Sequence, residues 1–376
     1  MPSMNIDLKY TSAKHKKILN AILARRKISE TEMRKQYDKL DQAEESFRAY
    51  MPETDADAIR RGKKETGSPK YTTIEIPYSY AMMLSSHTYH SSVFLGRTPV
   101  HQFTARHGEP QMSVQAIEAI MEYQVGTGRH MAPYYIWLHD ANKYGFGVLG
   151  SYWDEEEVVA SAIEEVPVTF GGFQVPGKFK KEKVTKVIPG FKGNKVFNVR
   201  PYDFFPDPRV PMVRLQDGEF VGRDLKMGWN EITTGAATGK YFNTEVVRKM
   251  GAGSQTREYK GSGQVDLPDE AEESADMGKM DIEDVGFRDV HEMEIRLIPR
   301  DWELGSSTRP EIWVFTVVSE RVIIGARPKG CYHGKFSFFV LPYEIDGYSV
   351  TSRSMMEIAK PLNDTLTWLV NTHFFN

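Results

Sequence analysis

The segment Asn198–Val210, NVRPYDFFPDPRV, holds three prolines, two aspartates and three aromatic residues in thirteen positions. Each proline locks its own φ and removes a backbone donor. Arg200, Phe205 and Asp207, each preceding a proline, are pushed toward extended geometry. The segment therefore reads as a stiff, extended crossover, neither a helix nor a central strand. Tyr202, Phe204 and Phe205 then require an apolar seat. On proline physics alone it is a structured link between two layers of a fold.

Upstream of it the chain changes character twice. Residues 12–50 carry helical periodicity, with Ile18, Leu19, Ile22 and Leu23 on one apolar face and Met33, Tyr37, Leu40 and Phe47 on a second. The opposite side is crowded with charge and reads as a solvated face. SETE at 29–32 has the form of a capping box, Ser29 as N-cap and Glu32 three residues on. Two helices meeting near Ile28, or one bent helix, are expected. Residues 51–70 are polar and include Arg60, Arg61, Lys63 and Lys64, as a linker would. A strand is expected at 72–76, then helices over 78–95, 113–125 and 133–144. At 144–153 the period switches to two and helix gives way to strand. Strands are expected at 158–170, 172–179 and 183–189, with turns at Gly171-Gly172 and Pro189-Gly190. Residues 178–195 hold seven lysines against Glu182 alone. That pattern suits a solvated hairpin or, less simply, an anionic partner.

Downstream, 218–227 reads as one more strand. Two short helices follow, with Asn230 and Asn243 or Thr244 as caps. Residues 251–284 lose periodicity, and 266–284 hold nine acidic groups against Lys279. By composition that is a loosely ordered insertion. Strands resume at 289–298, 311–317, 320–326 and 336–341, the middle pair forming a hairpin around Ser319-Glu320. KFSFFVLPY (335–343) reads as a buried strand. The last segment is helical, and Met355, Ala359, Leu362, Leu366, Leu369 and His373 fall in one stripe at four- and three-residue steps.

The chain's 376 residues suffice for two or three domains, with 40% hydrophobic and 26% charged residues in a globular balance. Cys331 is the one cysteine, so no intrachain disulfide forms and no cysteine-based zinc site exists. A formal charge of −3 argues against a wholly basic nucleic-acid binder. The first residues lack a signal-peptide pattern, and no window approaches the length of a membrane span. Catalytic motifs are sparse. GFGVLG (145–150) matches G-x-G-x-x-G, but it stands between a helix and a strand, whereas a dinucleotide turn needs strand, glycines, then helix. No P-loop and no G-x-S-x-G occur. His139-Asp140 lacks companions at phosphohydrolase spacing. His87, His90, His101 and His107 lack metal-ligand spacing. No enzyme activity, metal or cofactor is expected.

The order of elements is more telling than any single residue. LHDANKYGFGVLGSYWDEE (138–156) is a helix ending in a tyrosine–glycine step and a hairpin. Val199, Pro201, Asp203, Asp207 and Pro208 form a V-x-P-x-D-x-x-x-D-P element. RPEIWVFTVVSERVIIGARP (309–328), a P-Y-x-x-x-G step at Pro342, Tyr343 and Gly347, and the helix EIAKPLNDTLTWLVN (357–371) complete the series. From about residue 75 to 376 the chain resembles the portal proteins, or head-to-tail connectors, of tailed bacteriophages.

The resemblance implies an α+β portal-type fold, with a helical and β-barrel-like wing leading into a stem helix. On that template the divisions are 1–70, N-terminal helices and basic linker; 71–145, helical wing; and 146–228, barrel-like wing. Then follow 229–285, short helices and acidic insertion; 286–350, a β-rich return; and 351–376, the start of the stem. The clip, second stem helix and crown that family members carry have no counterpart here, so the last helix looks cut off. Pro361 inside it is expected to kink it. Pro201, Asp203, Asp207 and Pro208 would close the wing barrel and return the chain toward a central channel. Met355, Ala359, Leu362, Leu366 and Leu369 would face a neighbouring subunit near the ring axis. The implied assembly is a twelve-subunit ring at one capsid vertex, carrying double-stranded DNA in packaging and ejection. Its partners would be the major capsid protein, head–tail adaptor or tail proteins, terminase and a scaffolding protein, with no membrane. Assembly would occur in the host cytoplasm and residence would be in the virion. Two other classes fit the residues: a non-catalytic α+β scaffold or adaptor, and a nucleotide-binding enzyme using Gly145, Gly147 and Gly150.

Overall fold

The computed structural model describes residues 5–48, 76–170, 173–250, 287–331, 333–345 and 347–375, and of 48, 156–170, 173–189 and 374–375 the backbone only. The linker at 51–70, the strand expected at 72–76 apart from Ile76, the Gly171-Gly172 turn and the acidic stretch lie outside them. The fold is α+β. In chain order it runs α1 (Ala13–Arg48), α2 (Tyr78–Leu95), α3 (Gln111–Thr127), α4 (Met131–Tyr144), β1 (Phe146–Phe170), β2 (Phe173–Val199), β3 (Phe204–Pro206), β4 (Phe220–Met227), α5 (Trp229–Ala237), α6 (Thr244–Lys249), β5 (Arg288–Leu297), β6 (Glu311–Val318), β7 (Val322–Pro328), β8 (Phe338–Pro342) and α7 (Met355–Phe375). Two compact units divide the chain: Met1–Val93, Tyr135–Gly150 and Asn198–Asn376 form the first, Phe94–Tyr134 and Ser151–Phe197 the second.

The first unit is built on a five-stranded sheet in the order β3-β4-β5-β6-β7, whose four neighbouring pairs are all antiparallel. Successive residues of a strand face opposite ways, and here both faces are covered. Phe315, Val317 and Ile323 meet Ile18 and Ile22 of α1 in one cluster. Val318, Val322 and Ile324 meet Ile232 of α5 and Val247 of α6 in another. Double coverage explains why β6, EIWVFTVV, is apolar nearly throughout rather than alternating. The β6–β7 hairpin turns through Ser319 and Glu320, both in the left-handed region at φ 49° and 57°.

Four sequence expectations change. A single helix spans Ala13–Arg48, which excludes two helices meeting near Ile28 and leaves the one-helix alternative, and Ser29 is no N-cap: it is buried mid-helix and its hydroxyl donates to the Pro206 carbonyl at 2.5 Å. A tertiary acceptor removed the need for a helix start there. Pro189-Gly190 makes no turn, because β2 runs unbroken from Phe173 to Val199, and two long strands replace three short ones. The residue capping α5 is Gly228, not Asn230, with Glu231 accepting from the Gly228 N–H at 3.1 Å. Asn243 does precede α6, but its amide turns away to donate to the Leu8 and Ile323 carbonyls. Finally, β8 is an edge strand beside β1, not a buried one: Phe338 is buried and Phe339 is 42% exposed.

The second unit holds α3 and most of the β1–β2 pair. Tyr123 of α3 stacks on Phe191 at 6.3 Å, and Asn194 donates to Gln124. Gly193 sits under both aromatic and amide groups, where a Cβ would lie 3.0 Å from the Phe191 ring and 3.1 Å from Gln124. His130 lies with Nε2 2.7 Å from the Asn194 carbonyl.

Candidate functional site

The crossover seats its aromatics as required. Arg200 is extended, as a residue before proline should be. Pro201–Asp203 then make one 3-10 turn, closed by Asp203 N–H donating to the Arg200 carbonyl at 2.9 Å. That turn corrects the expectation of a wholly non-helical segment. The short β3 that follows pairs with β4 at the sheet edge, where Pro206, lacking a donor, is tolerated. Tyr202, Phe204 and Phe205 are all buried. The Tyr202 hydroxyl donates to Asp41 at 2.7 Å, and Tyr37 donates to the Tyr202 carbonyl at 3.0 Å. With Ser29 on Pro206, three α1 residues tie the crossover at Tyr202 and Pro206.

Asp207 is the fixed point of the element. Its carboxylate accepts from the Arg209 backbone N–H at 3.1 Å, the Arg209 guanidinium at 3.0 and 2.7 Å, and the Glu219 N–H at 2.9 Å. Arg209 continues to Glu219, which also takes Arg25. Burial opposes the charge on Asp207 and is the largest influence, yet the Arg209 and backbone donors together hold its pKa below the ordinary value. Pro201 is buried, while Asp203 and Pro208 are half-buried. These residues are structural: they turn the chain and fasten it.

The charged side of α1 is not all solvated. Arg26 is 3% exposed, and its guanidinium reaches Asp224 at 2.6 and 3.3 Å, Glu320 at 3.0 Å and Glu30 at 3.3 Å, over the Phe205 ring at 4.8 Å. His291, also buried, places Nδ1 2.5 Å from Asp224. Burial works against the Asp224 carboxylate, but His291 and Arg26 outweigh it and hold the pKa low. The one-dimensional cue for this network was absent, since Arg26 looks like any other charge on a long helix.

The last helix carries two stripes rather than one. Ser354 starts it, its Oγ accepting from Glu357 N–H at 2.9 Å. Met356, Ala359 and Asn363 are buried, Met356 against Ala43 of α1 and Met83 of α2. Of the stripe singled out by spacing, Ala359 is buried, Met355 and Leu366 are half-buried, and Leu362 and Leu369 are 49% and 55% exposed. Ile358 at 54% and Trp368 at 67% extend that open apolar surface. At about 100° per residue the two stripes are neighbours on one helix. The helix runs without a break through Pro361.

Asn363 is the residue that spacing did not single out. Its Oδ1 accepts from the Tyr78 and Ser79 N–H groups at 3.2 and 3.4 Å, and Thr367 Oγ1 accepts from Ile76 N–H at 3.4 Å. It therefore caps the first turn of α2 from a different helix. An asparagine on the apolar side of a helical pattern is the signal that could have found it.

The glycine-rich step has a mechanical explanation. Gly145 has φ 87°, and a Cβ there would lie 2.4 Å from the Ser352 carbonyl. At Gly147 it would lie 2.3 Å from the Trp137 carbonyl, while Trp137 Nε1 donates to the Gly147 carbonyl at 3.0 Å. Both glycines permit close backbone approach, and the order is helix, glycines, strand. His139 lies 3.6 Å from Asp140. Among the described residues no group of three His, Cys, Asp or Glu side chains is arranged to hold a metal, and no helix is long and apolar enough to cross a membrane. Of the lysine-rich stretch, Lys192 and Lys195 pair with Glu155 and Asp154 at 3.0 and 2.9 Å. No family model matches the chain, and no curated protein matches it.

Proposed function

We propose that this chain is the subunit of a portal ring of a tailed bacteriophage, a non-catalytic assembly at one capsid vertex through which double-stranded DNA is packaged and ejected. The observation that carries the reading is α7: one stripe is covered within the chain, and a second, with Ile358, Leu362 and Leu369, lies open to solvent. Contiguous exposed apolar surface on a soluble chain marks a contact site. In the same unit α2 also exposes Leu84, Tyr89 and Val93, and within the second unit, taken by itself, α3 exposes Met112, Ile120 and Tyr123. The order of elements described from the sequence supports the same reading.

A ring closes through heterologous contacts, one face of a subunit meeting a different face of the next. The apolar stripe on α7 would supply one such face, and the crossover clamp would keep the layers behind it from slipping. A net charge of −3 per chain leaves the ring acidic, which disfavours tight holding of a phosphate backbone. Energy for DNA movement would come from a terminase, and capsid, adaptor and scaffolding proteins would dock on the rest of the surface. Mass photometry and negative-stain imaging of the purified chain test this. Rings with a central hole are expected. Particles of one or two copies at all concentrations would refute it and favour the scaffold or adaptor class.

A further inference from the structure

The seat of α2 is narrow. Its fully buried residues are Ser79, Met83 and His87, one turn apart on a single line. His87 is 1% exposed, and among the described residues neither ring nitrogen has a hydrogen-bond partner. Its imidazole is instead held edge-on by aromatic rings of α4, Tyr135 at 4.2 Å and His139 at 5.4 Å between centroids. Phe47 of α1 packs on His139 at 5.5 Å and on Tyr80 at 5.2 Å, closing the cluster. A buried imidazole with no acceptor in reach is tolerable only while neutral.

The groups around His87 sharpen this. On its own helix the near titratable group is His90. From α4 come Tyr135 and His139, with Asp140 beside His139 at 3.6 Å and Lys143 paired to Glu44 of α1 further along. From α7 the contribution is Met356, packed against Met83. Burial is the largest influence on His87, and His139 and His90 follow, all disfavouring its charged form.

We propose that His87 is an acid-sensitive latch: neutral, it seats α2 from Met83 to Val93 against α4; protonated, it releases that stretch. This goes beyond the assembly reading and does not depend on it. The sign follows from linkage. The seated imidazole resists protonation, whereas the released one titrates near its ordinary pKa of about 6.5. Above that pH seating is at full strength. As pH falls below it, release gains about tenfold per pH unit until the seated pKa is reached.

Two measurements on the full chain test the latch. Imidazole NMR should show His87 titrating below the ordinary value. Hydrogen exchange between pH 7.5 and 5 should show α2 amide protection factors falling about tenfold per pH unit below about 6.5, while those of β6 stay constant as an internal control. His87→Phe, which keeps a flat ring on Tyr135, should remove the pH dependence of α2. Flat α2 protection in the unaltered protein, or an unchanged pH dependence in a folded His87→Phe chain, overturns the proposal. Should His87→Phe fail to fold, the unaltered protein decides: His87 titration without loss of α2 protection overturns the latch, and coincidence of the two supports it.

Discussion

Replacing Asn363 with alanine removes a side chain of α7 that accepts from two α2 backbone donors. The cost can be worked from those donors. Loss of a helix N-cap typically costs about 1 kcal/mol, within about 0.5–2. A buried donor left unsatisfied costs about 1–3 kcal/mol. The Tyr78 N–H also donates to the Ile76 carbonyl at 2.8 Å and so keeps a partner; Ser79 is 1% exposed, so its N–H is stranded. Both bonds are long, at 3.2 and 3.4 Å, which puts the loss toward the lower end, about 1–2 kcal/mol. Asn363→Asp keeps an acceptor oxygen in nearly the same place and adds a negative charge at a helix N-terminus, a favourable site. It should recover at least half of the loss at pH 7. Urea unfolding followed by circular dichroism gives the stability, and hydrogen exchange at Tyr78 and Ser79 gives the local effect. If Asn363→Ala lies within about 0.5 kcal/mol of the parent, the range of an ordinary surface change, and both amides keep their protection, the cross-helix cap is not an energetic contact.

Other changes probe the remaining features. If the chain forms the proposed ring, Leu362→Ala with Leu366→Ala should shift it toward smaller species in light scattering while far-UV circular dichroism stays constant, because Leu362 is half open in the single chain; rings that persist in the double variant with unchanged thermal stability would place the stripe away from any contact. Asp224 has a folded pKa below its ordinary value, so its contribution is complete above about pH 4 and is lost as pH falls through the folded pKa; Asp224→Asn should be less stable at pH 7 and should flatten the acid limb of a thermal-melt series, and an unchanged limb would show that the Arg26 network is not what acid breaks. Gly147→Ala drives a methyl into the Trp137 carbonyl and should cost about 1–3 kcal/mol, as overpacking does; neutral behaviour there would show that close approach is not what requires the glycine, and a thermal shift of the unaltered protein on adding nucleotide would favour the nucleotide-binding class.

Local physics was legible residue by residue. The periods of α2, α3 and α4, the switch to strand at Phe146, and the β6–β7 hairpin follow from apolar spacing and turn chemistry. So does the edge placement of Pro206, since a residue without a donor is excluded from a central strand. Tertiary partners decided the rest. SETE has the letters of a capping box, but Ser29 found the Pro206 carbonyl and the helix continued. Pro189-Gly190 has the letters of a turn, but β2 runs through it. Arg26 and Asn363 are ordinary polar residues until carboxylates and backbone amides from distant segments meet them. A hydrogen bond or ion pair belongs to two segments at once. Sequence spacing reports only the periodicity within one, so the burial of these groups was settled when α1, the crossover and α7 came together.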